Sequence, residues 1–512
     1  MYGSEVELKL AFRREDLAHL RQWPRLDSPK RAEQFESTYY DTADLRLRRA
    51  GTELRVRRIG RRFVQTVKTV GEDVGGIRRR GEWETDVAGM SPELGSLSDQ
   101  VPAVLRDGIA ADELQPVFQS RVRRTRQNIA LNGGGETTQV EIALDEGEIV
   151  TPAGLTLPIT EVELELKDGS PRGLYDLALE LRDIAPAQLE SRSKSERGYA
   201  LIGAEPDEPV AAPELALLPD MTVEQTLAAI VGHCLAHLRA NERIVAAAES
   251  PRAVHQMRVS LRRLRSGLQL FRKQLPDADY QRFVAEIRWL GAALGRVRNW
   301  DVFCADVLPD AAPALTPAES AALEAGATAR RAEAFAELRE IIASPRYTGL
   351  LLELGAWTMR RDWRNQPISE EATRLFAPID ATADRLLEQL RRKAKKRGAG
   401  FDHLSSRERH SLRIALKKLR YAGEFFIALY DEKEVRRYLG KVVALQDRLG
   451  SANDVETAEH LVHEIGASGM PNVAQGAGKL LGWHRRGLAE AHSEIGRTWR
   501  RLRRADPFWP AA

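Results

Sequence analysis

The chain opens on SEVELKLAF, Ser4 to Phe12. Glu5, Glu7 and Lys9 alternate with Val6, Leu8 and Leu10. In a β-strand this alternation puts the charges on one face and the aliphatic side chains on the other. A sister stretch, EVELELK, runs from Glu161 to Lys167, with Glu161, Glu163, Glu165 and Lys167 sharing one parity. Between the two lie Arg55 and Arg57 in ELRVRR, Lys68 in QTVKTV, and Arg80, Glu82 and Glu84 in RRGEWET. Arg124 and Arg126 follow in RVRRTRQ, Glu141 and Asp145 in VEIALDEG, and Lys194 in RSKSERGY.

A solvated face accounts for any one of these strands. It does not account for the set, in which glutamate rows on the first and a late strand flank arginine and lysine rows, with little Thr or Ser among them. If the strands close into a barrel, the aliphatic set faces outward beneath covering helices such as Arg172–Ile184, and the charged set lines the lumen. Carboxylates on neighbouring strands offer hard oxygen ligands to Mg²⁺ or Mn²⁺. Arg and Lys grip phosphate oxygens. Together they suit a polyphosphate substrate and metal-assisted attack by water.

At 512 residues the chain is long enough for two or three domains. Its net charge of +3 comes from 77 basic and 74 acidic residues, so charge distribution matters more than charge total. Two cysteines, Cys234 and Cys304, are too few for a disulfide framework and suit a reducing compartment. No secretory h-region and no apolar run long enough for a transmembrane helix is evident, so a cytoplasmic location and no membrane partner are expected.

Residues 1–203 are strand-like, with alternating segments at Glu5–Leu10, Thr52–Ile59, Arg62–Val70, Gly81–Val87, Arg121–Leu131, Thr138–Leu144 and Thr160–Lys167. Turns such as GEDVGG and NGGGE separate them. About eight antiparallel strands suggest a barrel or a sandwich. The Pro-rich, acidic stretch 204–220 reads as a linker. From Met221 to about Ala505 the Ala, Leu and Arg content and the period predict helix almost throughout.

The helical half repeats itself. HQMRVSLRRLRSGLQLF at 255–271 matches HSLRIALKKLRYAGEFF at 410–426, and LGRVRNWDV at 294–302 matches LGSANDV at 449–455. In a helix, His255, Arg258, Arg262 and Arg265 share one stripe, while Met257, Leu261, Leu264, Leu268 and Phe271 form the core stripe. His410, Arg413, Lys417 and Arg420 copy the first, and Arg263 and Lys418 add charge beside it. No Asp or Glu falls between Arg252 and Lys273, or between Arg409 and Ala422. A row so poorly neutralised seeks a polyanion. It carries neither aromatics nor Asn or Gln along the stripe, which disfavours nucleic acid and favours phosphate alone.

The first half resembles the CYTH domains of the triphosphate tunnel metalloenzymes. The resemblance rests on E-x-E-x-K at Glu5–Lys9, YYDT at 39–42, LRVRR at 54–58, Lys68, R-x-E-x-E at Arg80–Glu84, D-x-G at Asp145–Gly147, EVELELK and SKSERGY at 193–199. It implies an eight-stranded antiparallel tunnel that hydrolyses tripolyphosphate or an organic triphosphate with Mg²⁺ or Mn²⁺. It implies Glu5, Glu7, Asp145, Glu161 and Glu163 as metal ligands, with Glu82 or Glu84 assisting. Lys9, Arg55, Arg57, Lys68, Arg80, Arg124, Arg126 and Lys194 would bind phosphates, and Glu7 would orient the attacking water with Lys9 beside it. No purine or thiamine pocket stands out, so inorganic tripolyphosphate is the favoured substrate.

Residues 221–505 resemble CHAD domains, built from two related helical bundles, with HCLAHLRANE (233–242) and GWHRRGLAEAH (482–492) adding to the repeated blocks. That resemblance implies binding of long-chain polyphosphate by His255, Arg258, Arg262, Arg265, His410, Arg413, Lys417 and Arg420, and a place at polyphosphate granules. Asn299 departs from the family's acidic RDxDV turn. A non-catalytic polyphosphate-binding or targeting protein, and an enzyme for an organic triphosphate, stay open as alternatives.

Overall fold

The computed structural model describes residues 2–26, 32–69, 71–74, 77–106, 108–133, 136–203, 208–466 and 471–510. Val70 at the end of an expected strand, glycines of both expected turns, and residues 204–207 of the expected linker lie outside them. Two compact units emerge: Met1–Glu208 with Ala343–Arg361, and Pro209–Ile342 with Asp362–Ala512.

The first unit is a closed antiparallel barrel. Its strands are β1 (Tyr2–Ala11), β2 (Glu33–Asp41), β3 (Thr52–Ile59), β4 (Arg62–Thr69), β5 (Glu72–Val74), β6 (Ile77–Val87), β7 (Gln115–Gly133), β8 (Glu136–Val150), β9 (Thr156–Asp168) and β10 (Gln188–Leu189). The ring runs β1-β9-β8-β7-β2-β3-β4-β6 and closes by β6 pairing with β1, while β10 and β5 extend β1 and β6 as short additions. Eight strands give a bore wide enough for side chains and one small ligand. β2 was not among the strands expected from sequence, because FESTYY alternates poorly in charge.

The expected facing holds. Leu8, Leu10, Leu54, Val56, Ile142, Leu144, Val162 and Leu164 are almost wholly buried on the outer face. Helix α1 (Arg172–Ile184) covers part of that face with Leu174, Leu177 and Leu181, all fully buried. Helix α2 (Lys194–Leu201) follows β10.

The longer helices of the second unit are α3 (Val223–Ala247), α4 (Pro251–Leu270), α5 (Asp277–Val302) and α6 (Pro317–Ala343). The chain then returns to the first unit as α7 (Pro345–Arg360). There Tyr175 of α1 lies so close to Gly355 that a Cβ would meet the ring at 2.5 Å, Thr348 Oγ1 donates to Ala187 O at 2.7 Å, and Arg182 pairs with Glu353 at 3.1 Å. This excursion has no signal in the serial order of the sequence. Helices α8 (Ile379–Arg397), α9 (Ser406–Phe425), α10 (Glu432–Gly466) and α11 (Pro471–Arg503) complete the second unit. The repeated blocks become α4 and α9. Their core stripes are buried as expected, including Met257, Leu264, Leu268, Leu412, Leu416 and Leu419. No helix among the described residues is long and apolar enough to cross a membrane.

Candidate functional site

The bore of the barrel holds a cavity of about 440 Å³. Glu5, Glu7, Lys9, Arg55, Arg57, Lys68, Arg80, Arg124, Arg126, Glu163 and Lys194 all line it, and the full lining holds nine acidic and ten basic side chains. Strand register sorts them. Lys9 lies opposite Glu163, Glu7 opposite Glu165, and Glu5 opposite Arg80. Glu165 in turn faces Glu141 and Glu161 faces Asp145 across β8 and β9.

At one level, Asp145, Glu161 and Glu163 bring carboxylate oxygens within 4.8 Å of one another. The Lys194 ammonium sits among them, at 2.6, 2.5 and 2.9 Å. Arg124 grips Asp145 bidentately with both contacts at 2.6 Å and also reaches Glu163. Arg197 reaches Glu161 at 2.5 Å, and Lys9 reaches Glu163 at 3.0 Å. Burial opposes charge on Lys194, but the three carboxylates outweigh it and raise its pKa. Burial likewise pushes Glu163 and Asp145 up, and Arg124 and Lys194 pull both below the usual carboxylate range.

Toward β6 the pairing is different. Glu5 takes Lys68 at 2.9 Å and Arg80 at 2.6 Å, and Arg80 also reaches Glu7 at 3.2 Å. Burial raises Glu5, yet these two cations hold it well below the normal range. Lys68 and Arg55 approach Glu82 at 2.9 and 3.9 Å. Burial pushes Glu165 up, and Glu5 and Glu141 oppose the downward pull of Lys167. Around Phe35 of β2, the guanidiniums of Arg57, Arg126 and Arg124 lie 4.9, 5.5 and 5.8 Å from the ring centroid. The ring's negative face eases the convergence of three like charges. Burial, then Arg55 and Arg124, lower Arg57 to about 10.

Local chemistry explains how Lys194 is aimed. Ser193 caps α2 by accepting from Glu196 N, and Glu196 returns to Ser193 N at 2.7 Å, a capping box. Arg78 fixes Glu196 at 2.5 Å, with burial opposed by that pairing so that Glu196 falls to about 2. Gly198 has no side chain because Phe118 would meet a Cβ at 2.2 Å, and Phe118 stacks on Tyr39 at 4.6 Å. Tyr199 donates to Asp41 at 2.8 Å, and Asp41 also accepts from Thr42, Leu47 and Arg48 backbone N–H groups. SKSERGY and YYDT are thus the clamp that closes this part of the barrel.

The expected ligands Asp145, Glu161 and Glu163 do come together as one carboxylate cluster, but at different depths. Glu161 and Asp145 are wholly buried and do not line the open cavity, because α2 lays Lys194 and Arg197 over them. Glu165, not proposed as a ligand from sequence, does line it, as do Glu53 and Glu141. Arg197 was missed as well, although it stands within the SKSERGY motif.

In the second unit a groove of about 790 Å³ is lined by His255, Arg258, Arg262, Arg265, His410, Arg413 and Lys417. Arg420 departs from the expectation: it does not line the groove but pairs with Glu424 at 2.6 Å, which also takes Arg263 at 2.9 Å. Glu424 lies just beyond the acid-free run, within helical reach of Arg420. Arg288 and Arg298 of α5 join the wall, with Lys418 and Asn299. Gly295 of α5 leaves room for Arg258, whose Nη1 would stand 3.1 Å from a Cβ there. Arg258 Nη1 and Arg262 Nε are buried without a hydrogen-bond partner among the described residues. Burial, then Arg262 and Arg298, lower Arg258 to about 10. Burial, then Arg298, Arg262 and Arg258, lower His255 to about 4, so it is neutral at pH 7. The RNWDV stretch is helical, the last residues of α5, and its Asp301 pairs with Arg331 at 2.8 Å.

Residues 3–199 match the CYTH domain family and residues 229–463 the CHAD domain family. An inorganic triphosphatase of Haemophilus influenzae is 30% identical over 166 residues, 32% of this chain and 45% of that protein. The matched part thus spans less than half of that relative's length. The crystal structure of a CHAD domain from the plant Ricinus communis is 32% identical with a TM-score of 0.51, covering 58% of this chain and 98% of that one.

Proposed function

From the premise that this chain joins an N-terminal CYTH domain to a C-terminal CHAD domain, we propose that the barrel hydrolyses inorganic tripolyphosphate to pyrophosphate and phosphate, and that the helical groove binds polyphosphate. The observation that carries the first half is the mixed wall of the cavity, where carboxylates and cations stand in nearly equal number. A cavity so balanced does not attract a multiply charged anion by itself, so the ligand needs accompanying cations.

The residues fit a hard divalent cation in kind. Asp145, Glu161 and Glu163 offer only oxygens, gathered within 4.8 Å, and Glu5 and Glu7 stand on the adjacent strand. These residues would hold Mg²⁺ or Mn²⁺, with Lys194 as competitor for the first three. Bound there, the ion supplies neutralisation and polarisation of phosphoryl oxygens. Lys9, Arg55, Lys68, Arg80 and Arg124 bind the remaining oxygens of the anion and align its chain. Arg57 and Arg126, held beside Phe35, take further oxygens. Glu7 orients the attacking water along the line of the leaving pyrophosphate, and Lys9 beside it stabilises the charge that develops.

In the groove, cations from the two repeated helices and from α5 converge without carboxylates enough to match them. A polyanion would supply the acceptors that Arg258 Nη1 and Arg262 Nε lack.

The test is phosphate release from tripolyphosphate, ATP, thiamine triphosphate and long-chain polyphosphate, with and without Mg²⁺ or Mn²⁺. Metal-dependent release, fastest from tripolyphosphate, is expected. No release from any of them overturns the hydrolase reading, and faster release from an organic triphosphate overturns the substrate.

A further inference from the structure

Helix α8 ends in RRKAKKR, Arg391–Arg397, a run outside both the cavity and the groove. Arg392, Lys393, Lys396 and Arg397 line a separate hollow of about 670 Å³, walled on its other side by Leu404 and Ser411 around the start of α9. The acids nearby are committed elsewhere. Glu408 accepts from Ser405 N at 2.8 Å and Ser405 Oγ at 2.7 Å, closing the capping box of α9. Glu388 takes Arg391 at 3.1 Å and Arg392 at 2.9 Å. Lys393, Lys396 and Arg397 have no carboxylate partner among the described residues.

The hollow and the groove also share one helix. Ser411 of α9 lines the hollow, and Ile414 and Lys418, three and seven residues further along α9, line the groove, so the two spaces follow one another along one face of that helix. Lys393 of the hollow and Arg265 of the groove are close enough to Lys418 that both, after burial, depress its ammonium.

We propose that this hollow is a second polyanion site, taking the stretch of a long polyphosphate chain that leaves the groove. The inference rests on the polyphosphate-binding reading of the groove and adds to it a track that rewards chain length. The lining has no aromatic ring to stack a base and no Asn or Gln to read one, so it recognises phosphate charge alone. Like charges gathered without counterions gain from a linear polyanion by releasing the small ions that otherwise screen them.

The experiment uses the full chain with Lys393→Ala/Lys396→Ala/Arg397→Ala, all exposed positions whose replacement leaves the core intact. Sodium polyphosphates of graded length are titrated at several salt concentrations, with Arg262→Ala as the groove control. The triple variant is expected to lose about tenfold in affinity for long chains and to flatten the salt slope by about 2, since each lost contact removes about 0.7. Chains short enough to stay in the groove bind it as they bind the wild type, whereas Arg262→Ala weakens both. Long chains binding the triple variant as tightly as wild type, while Arg262→Ala weakens them, overturn the hollow and leave the groove standing. No binding of any chain to the wild type overturns the groove reading itself. Tighter binding of oligo-dT than of polyphosphate at equal salt, lost in the triple variant, overturns the class of ligand.

Discussion

The barrel and the helical groove both gather arginine and lysine around an enclosed space, but they balance that charge in opposite ways. In the barrel nearly every cation meets a carboxylate: Lys194 touches three, Arg80 two, and Glu5 accepts from two cations. In the groove, Glu424 neutralises Arg263 and Arg420 at the margin, while Arg258 and Arg262 keep buried N–H groups without acceptors among the described residues. A groove in which cations far outnumber the lining aspartates, Asp306 and Asp447, suits holding an anion. A two-sign cavity suits holding an anion together with metal ions, which is what phosphoryl transfer requires.

The largest expected effect lies in the barrel. Glu5→Gln/Glu7→Gln should lower turnover of tripolyphosphate by at least about a hundredfold while long-chain binding stays as in the wild type. Loss of both in steady-state and titration measurements would break the division between the two regions.

Next comes stability. Lys194→Ala leaves Asp145, Glu161 and Glu163 facing one another with a cation removed from their centre. Breaking such a buried pairing costs about 3–5 kcal/mol, read as a lower denaturation midpoint. If the cage accepts a divalent ion, Mn²⁺ restores much of that loss in the variant and shifts the wild type less. A variant as stable as the wild type without metal would mean that the cage is not charge-coupled.

Smaller is the groove. Arg262→Ala should weaken long-chain polyphosphate about tenfold in equilibrium titration, with a flatter salt dependence.

The smallest effect is in pH. His255 has a pKa near 4 against an ordinary 6.5. It therefore binds fewer protons folded than unfolded between those values, and its contribution to stability, present above about 6.5, is lost as pH falls toward 4. A bound polyanion offsets Arg298, Arg262 and Arg258 and lifts that pKa, so affinity for long chains should rise a few-fold across the same window. His255→Gln should flatten the rise.

Much of this was legible because alternation in a strand is a strict two-residue code. Once Glu5, Glu7 and Lys9 share a face with Glu163 and the arginines of β3 and β7, closure of the barrel sends them inward together. The helical repeat was legible for a similar reason, since the basic stripe and the core stripe recur at fixed helical spacing. Depth along the bore was not legible. Parity puts Glu161, Glu163 and Glu165 on one face but does not say which lies beneath α2, so Glu161 was expected in the open cavity and Glu165 was passed over. The pairing of Arg420 was not legible because its partner, Glu424, lies just outside the acid-free run. β2 was hidden because its residues serve packing as much as charge: Phe35 carries three guanidiniums and Tyr39 stacks on Phe118. The passage of α7 into the first unit depends on tertiary contacts such as Tyr175 with Gly355, which no local pattern announces.

The contrast between the two regions is tested most directly by one preparation of the full chain measured before and after chelation of divalent metal. Phosphate release from tripolyphosphate and equilibrium binding of long-chain polyphosphate are followed side by side. The account predicts that chelation abolishes release and leaves binding intact, and that added Mg²⁺ or Mn²⁺ restores release. Release that survives chelation, or long-chain binding that disappears with the metal, would contradict it.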